Sequence, residues 1–404
     1  MNPISGKNIV LGVTGSIAAY KAADLASKLH QAGGMINVVL TPSACQFITP
    51  ITFQSVTGRK AYVDADLWGG EAHVVHIDLG HNADLVVIAP GSANTIAKLA
   101  HGIADNLLTV TVLAANCPVL IAPAMDGDMY AHPATQANLE ILKDRGVEFI
   151  GPGEGHLASG LMGKGRMVEP SEIMDHIRWM MAGNGELQGR KVVVTAGGTQ
   201  EPIDPVRMIA NRSSGKQGYA IARAALDLGA NVVLISAPTS LPAPYGCRRV
   251  DVSTAYEMLA AVQQEIGNAD ILLMAAAVAD FHPRQASEQK IKKNSRLQEI
   301  PLEPTRDILE CIGEIRQKTG FPRRVVGFAA ETESVLENAR QKLTAKKLDL
   351  IVANDVSAPD SGFSVDTNRV TFLFPDGQVK PQALATKYEV AEAIMKIVVE
   401  WLQD

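Results

Sequence analysis

Apolar runs rich in β-branched residues alternate with helix-patterned stretches along nearly the whole chain, and no other feature of the sequence restricts the fold as tightly. A strand that is apolar on both faces must be covered on both faces, which requires a parallel sheet with helices above and below it. In the first half such runs fall at 9–13, 36–40, 85–89, 119–122 and 147–150. The pattern restarts at 192–195 and continues through 232–236, 271–276, 325–328, 350–353 and 370–374, before an amphipathic helix near 386–402. Between the halves, 181–189 reads MAGNGELQG, small and polar with three glycines. The expectation is an α/β chain of two tandem doubly wound parallel-sheet domains, 1–180 and 189–404, joined by a linker at 181–188. The loops after the two leading strands differ, GVTGSIAAYK against TAGGTQEPIDPVR, so the halves are expected to carry different chemistries.

Hydrophobic residues make up 47% and charged residues 20%, the balance of a globular protein rather than a disordered one. The net charge of -6 argues against bulk binding to nucleic acid or anionic membrane, because those partners select a basic excess. Cys45, Cys117, Cys247 and Cys311 show no paired spacing, so neither a disulfide framework nor a CxxC metal site is expected, and a reducing cytoplasm is the simplest home. The first residues lack the basic region and cleavage site of a signal peptide. The longest apolar stretch, 107–125, is interrupted by Asn116, Pro118 and Pro123, and reads as a helix and a strand separated by a turn.

In open α/β sheets ligands bind beyond the carboxyl ends of the strands, with a phosphate often on a helix N-terminus. Gly12, Gly15 and Ser16 stand there in the first half and Gly197, Gly198 and Thr199 in the second. The spacing is not GxGxxG, and the second strands run into LTPS and SAP with no acidic residue for an adenine ribose. A nicotinamide-dependent reductase is therefore disfavoured in both halves. Taken alone, such glycines equally well make tight strand-to-helix turns. Ser92, Asn94 and Thr95, after another strand, add donors suited to a mononucleotide phosphate.

The segments GVTGSIAAYK, HIDLGHNADLVVIAPGSANTIAKLAHGIADNLL and PAMDGDMYAHPATQANL resemble the flavin-dependent cysteine decarboxylases, specifically the phosphopantothenoylcysteine decarboxylase domain of coenzyme A synthesis, over residues 6–175. The resemblance implies a flavodoxin-like flavoprotein fold with FMN held by Gly15, Ser16, Ile17, Thr41, Ser43, Ser92, Asn94 and Thr95, with Met125 and Asp126 at the substrate and His76 as the catalytic histidine. It implies decarboxylation through oxidation: FMN oxidises the thiol carbon toward a thioaldehyde, CO2 leaves, and the electrons return to the enethiol. The sequence departs from the family pattern twice. Asp126 stands where Asn is usual, in PAMD, and Ser159 replaces the flap cysteine, in LASG. An amide can donate to a substrate carboxylate, whereas an ionised Asp repels it, and a serine hydroxyl is a far weaker acid than a thiol. One expectation is that Asp126 stays protonated and supplies the missing donor. The other is a flavin-binding scaffold with no decarboxylase activity, serving oligomerisation or regulation.

From Arg190 onward, RKVVVTAGGTQEPIDPVRMIANRSSGKQGYAIA, MAAAVADF, KIKK, GFAAET and ARQKLTAKKLDLIVANDV resemble phosphopantothenate-cysteine ligase, with a Rossmann-like fold, over 189–404. The resemblance places CTP at Met274, Ala275, Ala276, Asp280, Lys290, Thr305, Arg306, Asp307, Ile308, Phe328, Lys342 and Lys346. Arg306 departs from a common proline. The implied chemistry is attack of the 4'-phosphopantothenate carboxylate on CTP, giving an acyl-cytidylate and pyrophosphate, then displacement of CMP by the cysteine amine. Asn211 is implied to support the first step and Lys290 the second, from a polar, Lys-rich segment, 283–297, that suits a lid over phosphates. Mg2+ is expected mainly on the CTP phosphates, with no protein ligands identified. Asn211 and Arg207 are implied to bind substrate, and Arg207 lies in a region implied to meet a partner subunit. A homo-oligomer is expected, as ligase dimers and as a dodecamer through the decarboxylase domain. Lys342 and Lys346, four apart, are expected on one helical face.

Overall fold

The computed structural model describes residues 2–68, 74–157, 160, 162–292, 299–331, 333–355 and 365–403. They form two compact units, one from Asn2 to Met181 and one from Ala182 onward. In the first unit the elements run β1 (Asn8–Val13), α1 (Ala19–Gln31), β2 (Met35–Leu40), α2 (Pro50–Thr57), β3 (Ala61–Tyr62), α3 (Val75–His81), β4 (Leu85–Gly91), α4 (Ala93–His101), α5 (Leu107–Ala114), β5 (Val119–Pro123), α6 (Gly127–Ala131), α7 (Pro133–Asp144), β6 (Glu148–Phe149), β7 (Gly153–His156), β8 (Met162–Arg166) and α8 (Pro170–Met181). The main sheet is parallel in the order β3-β2-β1-β4-β5-β6. Without the two-residue edge strand β3 this is the flavodoxin-like order, whose switch point lies between β1 and β4. Alternate residues of the strands serve two cores. Ile9, Leu11 and Val13 pack under α1 and α8, while Val10, Val86 and Ile88 pack under α4, α5 and α7. The apolar stretch 107–125 divides into α5 and β5, as its prolines indicate. No helix among the described residues is long and apolar enough to cross a membrane.

The second unit comprises β9 (Lys191–Ala196), β10 (Gln200–Pro202), β11 (Met208–Ala210), α9 (Lys216–Leu226), β12 (Asn231–Ser236), β13 (Arg248–Asp251), α10 (Ala255–Glu265), β14 (Ile271–Met274), β15 (Phe281–Pro283), β16 (Leu302–Pro304), α11 (Ile308–Thr319), β17 (Arg324–Glu331), α12 (Val335–Ala345), β18 (Leu350–Asp355), β19 (Thr367–Asn368), β20 (Val370–Leu373), β21 (Val379–Pro381), β22 (Ala385–Thr386) and α13 (Lys387–Gln403). Its sheet has the order β13-β12-β9-β14-β17-β18-β20-β21. The strands β13 to β18 are parallel in the dinucleotide-fold order, with a switch point between β9 and β14. Beyond β18 the sheet departs from the all-parallel expectation, because β20 and β21 extend it antiparallel. Helices α9 and α13 cover one face and α10, α11 and α12 the other. The stretch 181–188, read as a linker, is largely packed into this unit: Leu187 is fully buried in its core and its amide donates to the Leu228 carbonyl at 2.8 Å.

Three aspartates set the strands in register. Asp84, Asp270 and Asp349 each directly precede a strand, and each accepts a neighbouring strand's amide on its carboxylate: Asn8 at 2.8 Å, Lys191 at 2.9 Å and Val325 at 2.7 Å. Their own amides donate back to the carbonyls of the same three residues at 2.8, 3.0 and 3.0 Å. Asp270 is buried, so removing its carboxylate strands the Lys191 amide. Asp270→Ala is expected to lower the stability of the second unit by about 1–3 kcal/mol, read as a shift of its urea midpoint. Asp270→Asn, which keeps an acceptor oxygen, should lose clearly less.

Candidate functional site

In the first unit the carboxyl ends of β1, β2, β4 and β5 open into a cavity of about 860 Å³. Its base is set by Thr14, a buried residue whose hydroxyl donates to the Pro90 carbonyl at 2.7 Å and accepts the Ser92 amide at 2.9 Å, tying the loops after β1 and β4 together. Ser92 then caps α4, accepting from the Thr95 amide. The loop after β2 is pinned by Thr41, which accepts the Ala44 amide. Gly15 and Ser43 approach so closely that a Cβ on Gly15 would stand 2.5 Å from the Ser43 Cβ, so only glycine fits there. Gly15, Ser16, Ile17, Thr41, Ser43, Ser92, Asn94 and Thr95 all line this cavity, as do Met125 and Asp126. Hydroxyl and amide donors at a helix N-terminus, with Met125, Met129 and Leu157 as apolar walls, fit a flavin mononucleotide in both size and chemistry.

The β7–β8 hairpin leans over the same opening, its Gly165 carbonyl accepting the Met125 amide at 3.0 Å. A Cβ on Gly165 would overlap the Met125 carbonyl, so this contact also requires glycine. Lys21 secures the exit of the hairpin, donating to the Met167 carbonyl at 3.2 Å and to Glu169 at 2.8 Å. Asp126 is the N-cap of α6, with Oδ1 accepting the Asp128 amide at 3.0 Å. His76 sits half-buried in α3, with Nδ1 making no hydrogen bond among the described residues, and does not line the cavity. Ser159 lies outside the described residues. Sequence reasoning missed Lys21, Asp64, Lys98 and Arg166, which also line the cavity. Lys98 and Asp105 form an ion pair at 2.7 Å, and this bond holds the Asp105 carboxyl below its usual range.

In the second unit a cavity of about 480 Å³ lies over the ends of β14, β17 and β18. Thr195 and Thr199 shape its floor from below, their hydroxyls accepting the amides of Ala276 at 3.1 Å and Ala279 at 2.9 Å. Asn211 donates to the Val278 carbonyl at 3.0 Å, and Thr305 to the Ala279 carbonyl at 2.6 Å. The cavity gathers Asn211, Met274, Ala275, Ala276, Asp280, Thr305, Arg306, Asp307, Ile308, Phe328 and Lys342. Lys346 does not join them. It falls one residue past the end of α12, where its ammonium bonds Asp307 at 2.8 Å and Glu310. Burial opposes ionisation of both Asp307 and Lys346, but the pairing outweighs it, holding Asp307 below and Lys346 above their usual ranges.

Lys290 and Arg207 likewise do not line the cavity in the single chain. Lys290 is exposed, and its neighbour Ile291 is fastened by Asp204, whose Oδ2 accepts the Ile291 amide at 3.2 Å while Oδ1 takes the amides of Val206 and Arg207. Arg207 adds a 3.4 Å bond to the Ile291 carbonyl. No group of three or more His, Cys, Asp or Glu residues able to hold a metal ion occurs among the described residues.

The contact between Gly15 and Ser43 is directly testable. Gly15→Ala should cut flavin retention by about tenfold or more, the scale of a 1–3 kcal/mol overpacking strain, measured as flavin absorbance per mole of folded protein.

Residues 2–181 match the family described as Flavoprotein, and residues 187–402 match the DNA/pantothenate metabolism flavoprotein C-terminal domain. The chain is 45% identical to the coenzyme A biosynthesis bifunctional protein CoaBC of Bacillus subtilis (strain 168), over 97% of each chain. It is 44% identical to the protein of the same description from Escherichia coli (strain K12), over 93% of this chain and 92% of that one. A crystal structure of the C-terminal domain of a coenzyme A biosynthesis bifunctional protein CoaBC is 42% identical, with a TM-score of 0.46, covering 55% of this chain and 99% of that chain. With both halves matched in order and relatives aligned over nearly the whole chain, the chain belongs to the family of bifunctional coenzyme A biosynthesis proteins, CoaBC.

Proposed function

We propose that the second unit joins cysteine to 4'-phosphopantothenate using CTP, and that the first unit decarboxylates the resulting 4'-phospho-N-pantothenoylcysteine to 4'-phosphopantetheine using FMN. The observation that carries this reading is that each unit gathers most of its own expected residue set around one cavity at its strand ends. FMN supplies, when bound, the two-electron oxidation that makes loss of CO2 feasible. Ser16, Ser43, Ser92, Asn94 and Thr95 would hold its phosphate and polar chain, while Met125 and the β7–β8 hairpin exclude water from the reacting end. In this reading Asp126, which lines the cavity, meets the substrate carboxylate as a protonated acid. His76 stays in this reading as a proton carrier, and an oligomer stays with it, neither being derived from the cavity of the single chain.

In the ligase step the substrate carboxylate attacks the α-phosphorus of CTP and pyrophosphate leaves. The cysteine amine then attacks the acyl carbon and CMP leaves with the bonding electrons. Mg2+ would screen the triphosphate charge, and Lys342 adds a cation from the α12 side. Thr195 and Thr199 hold the loop 276–279 in place by accepting the Ala276 and Ala279 amides, so its backbone needs little reorganisation on binding. Cytoplasmic location and small-molecule partners complete the proposal.

Purified protein given synthetic 4'-phospho-N-pantothenoylcysteine should release CO2 and 4'-phosphopantetheine. No product from a flavin-loaded sample would favour the scaffold reading. Asp126→Asn should lower turnover about tenfold or more, the scale of a lost general acid, and unchanged or improved turnover would reject the acid role. Pyrophosphate release from CTP and 4'-phosphopantothenate without cysteine is the expected mark of the acyl-cytidylate route.

A further inference from the structure

Decarboxylation in the first unit needs a proton delivered to carbon. Loss of CO2 leaves an electron pair on the carbon that carried the carboxylate, and 4'-phosphopantetheine has a hydrogen in that place. The donor has to line the flavin cavity, give up a proton near neutral pH and have no competing task there. Ser159 offers only a hydroxyl, far too weak an acid for this purpose.

Most ionisable side chains of the cavity wall are committed elsewhere. Lys21 donates to the Met167 carbonyl and to Glu169, and Arg166 pairs with the same glutamate at 3.0 Å. Lys98 and Asp105 neutralise each other. Asp64 accepts the Leu107 amide at 3.0 Å, which ties it to the first turn of α5. Asp126 caps α6 and is assigned to the substrate carboxylate. Two groups are left, the Tyr20 phenol and the His156 imidazole. An imidazolium is by far the stronger acid of the two, and histidine is the side chain suited to proton transfer at neutral pH.

His156 ends β7, opposite Met162 of β8, in the hairpin that leans over the opening. That strand end is seated beside Asp126. The next residue, Leu157, also lines the cavity and packs on Gly127, where a Cβ would stand 3.4 Å from a Leu157 methyl carbon. The bond from the Met125 amide to the Gly165 carbonyl fixes the other strand of the hairpin to the same segment. His156 is exposed, so solvent can return the proton it gives. Glu154, two residues earlier in β7, is also exposed but does not line the cavity.

We propose, resting on the decarboxylase reading above, that His156 is the general acid that protonates the carbon from which CO2 leaves. An N–H bond of the imidazolium breaks and a C–H bond forms with the electron pair of the enethiolate double bond, while a sulfur lone pair closes to C=S. The resulting thioaldehyde takes back the hydride that FMN removed and, with a proton from water, becomes the product thiol. Water reprotonates the imidazole.

The test is a single turnover of the full-length, flavin-loaded protein without oxygen. The parent should release CO2, form 4'-phosphopantetheine in equal amount and end with oxidised flavin. His156→Gln should still release CO2, but its flavin should stay reduced and the enethiol should replace 4'-phosphopantetheine. The ratio of 4'-phosphopantetheine to CO2 should fall about tenfold or more, the scale of a lost general acid. Full product with reoxidised flavin from His156→Gln would overturn the role, as would absence of CO2 from that variant alone. Glu154→Gln should behave as the parent, and an equal loss of product there would also overturn the role, because the effect would belong to the hairpin as a whole. No CO2 from the flavin-loaded parent would reject the decarboxylase reading, and the role of His156 with it.

Discussion

Both units depend on parallel strands ending level with one another, because each cavity is assembled from the loops that leave those ends. Parallel pairing alone leaves the first amide of each strand without a sheet partner on one side. Asp84, Asp270 and Asp349 close that gap at the opposite edge of the sheets, each exchanging two hydrogen bonds with the neighbouring strand. A slip of one residue would break both bonds and exchange the two cores on either face. Register is therefore held at the edge remote from chemistry, which leaves the other edge free to be built from irregular loops.

Those loops obtain precision from small residues and hydroxyls. Gly15 permits contact with Ser43, Gly165 permits the hairpin to reach Met125, and Thr14, Thr195 and Thr199 tie neighbouring loops together from beneath. The same economy explains how Asp126 can occupy an asparagine position: its Oδ1 performs a helix-capping task that either residue can do, so the fold does not register the exchange.

The main strands were legible in the sequence to within about three residues, since runs apolar on both faces admit few other readings. Strand β13 (Arg248–Asp251), a charged edge strand, and the short hairpins β10–β11 and β15–β16 carry no such pattern and were invisible. The cavity linings were found wherever they follow a strand directly. Lys387 was not, because it reaches the ligase cavity only through the packing of α13 on α9, more than 150 positions away along the chain. Lys346 illustrates the reverse failure. The four-residue spacing from Lys342 is real, but the helix stops before it and two carboxylates draw its charge away.

The stretch between the units has a consequence for their separability. Ala182 and Gly185 close against Gly229 so tightly that a Cβ on Gly229 would come within 2.7 Å of the Ala182 carbonyl, and Leu187 fills the core under α9. The second unit thus begins its hydrophobic interior several residues ahead of its first strand. Excision at the start of β9 would leave a leucine-sized hole, whereas a cut immediately after α8 would release a module with its own seal intact.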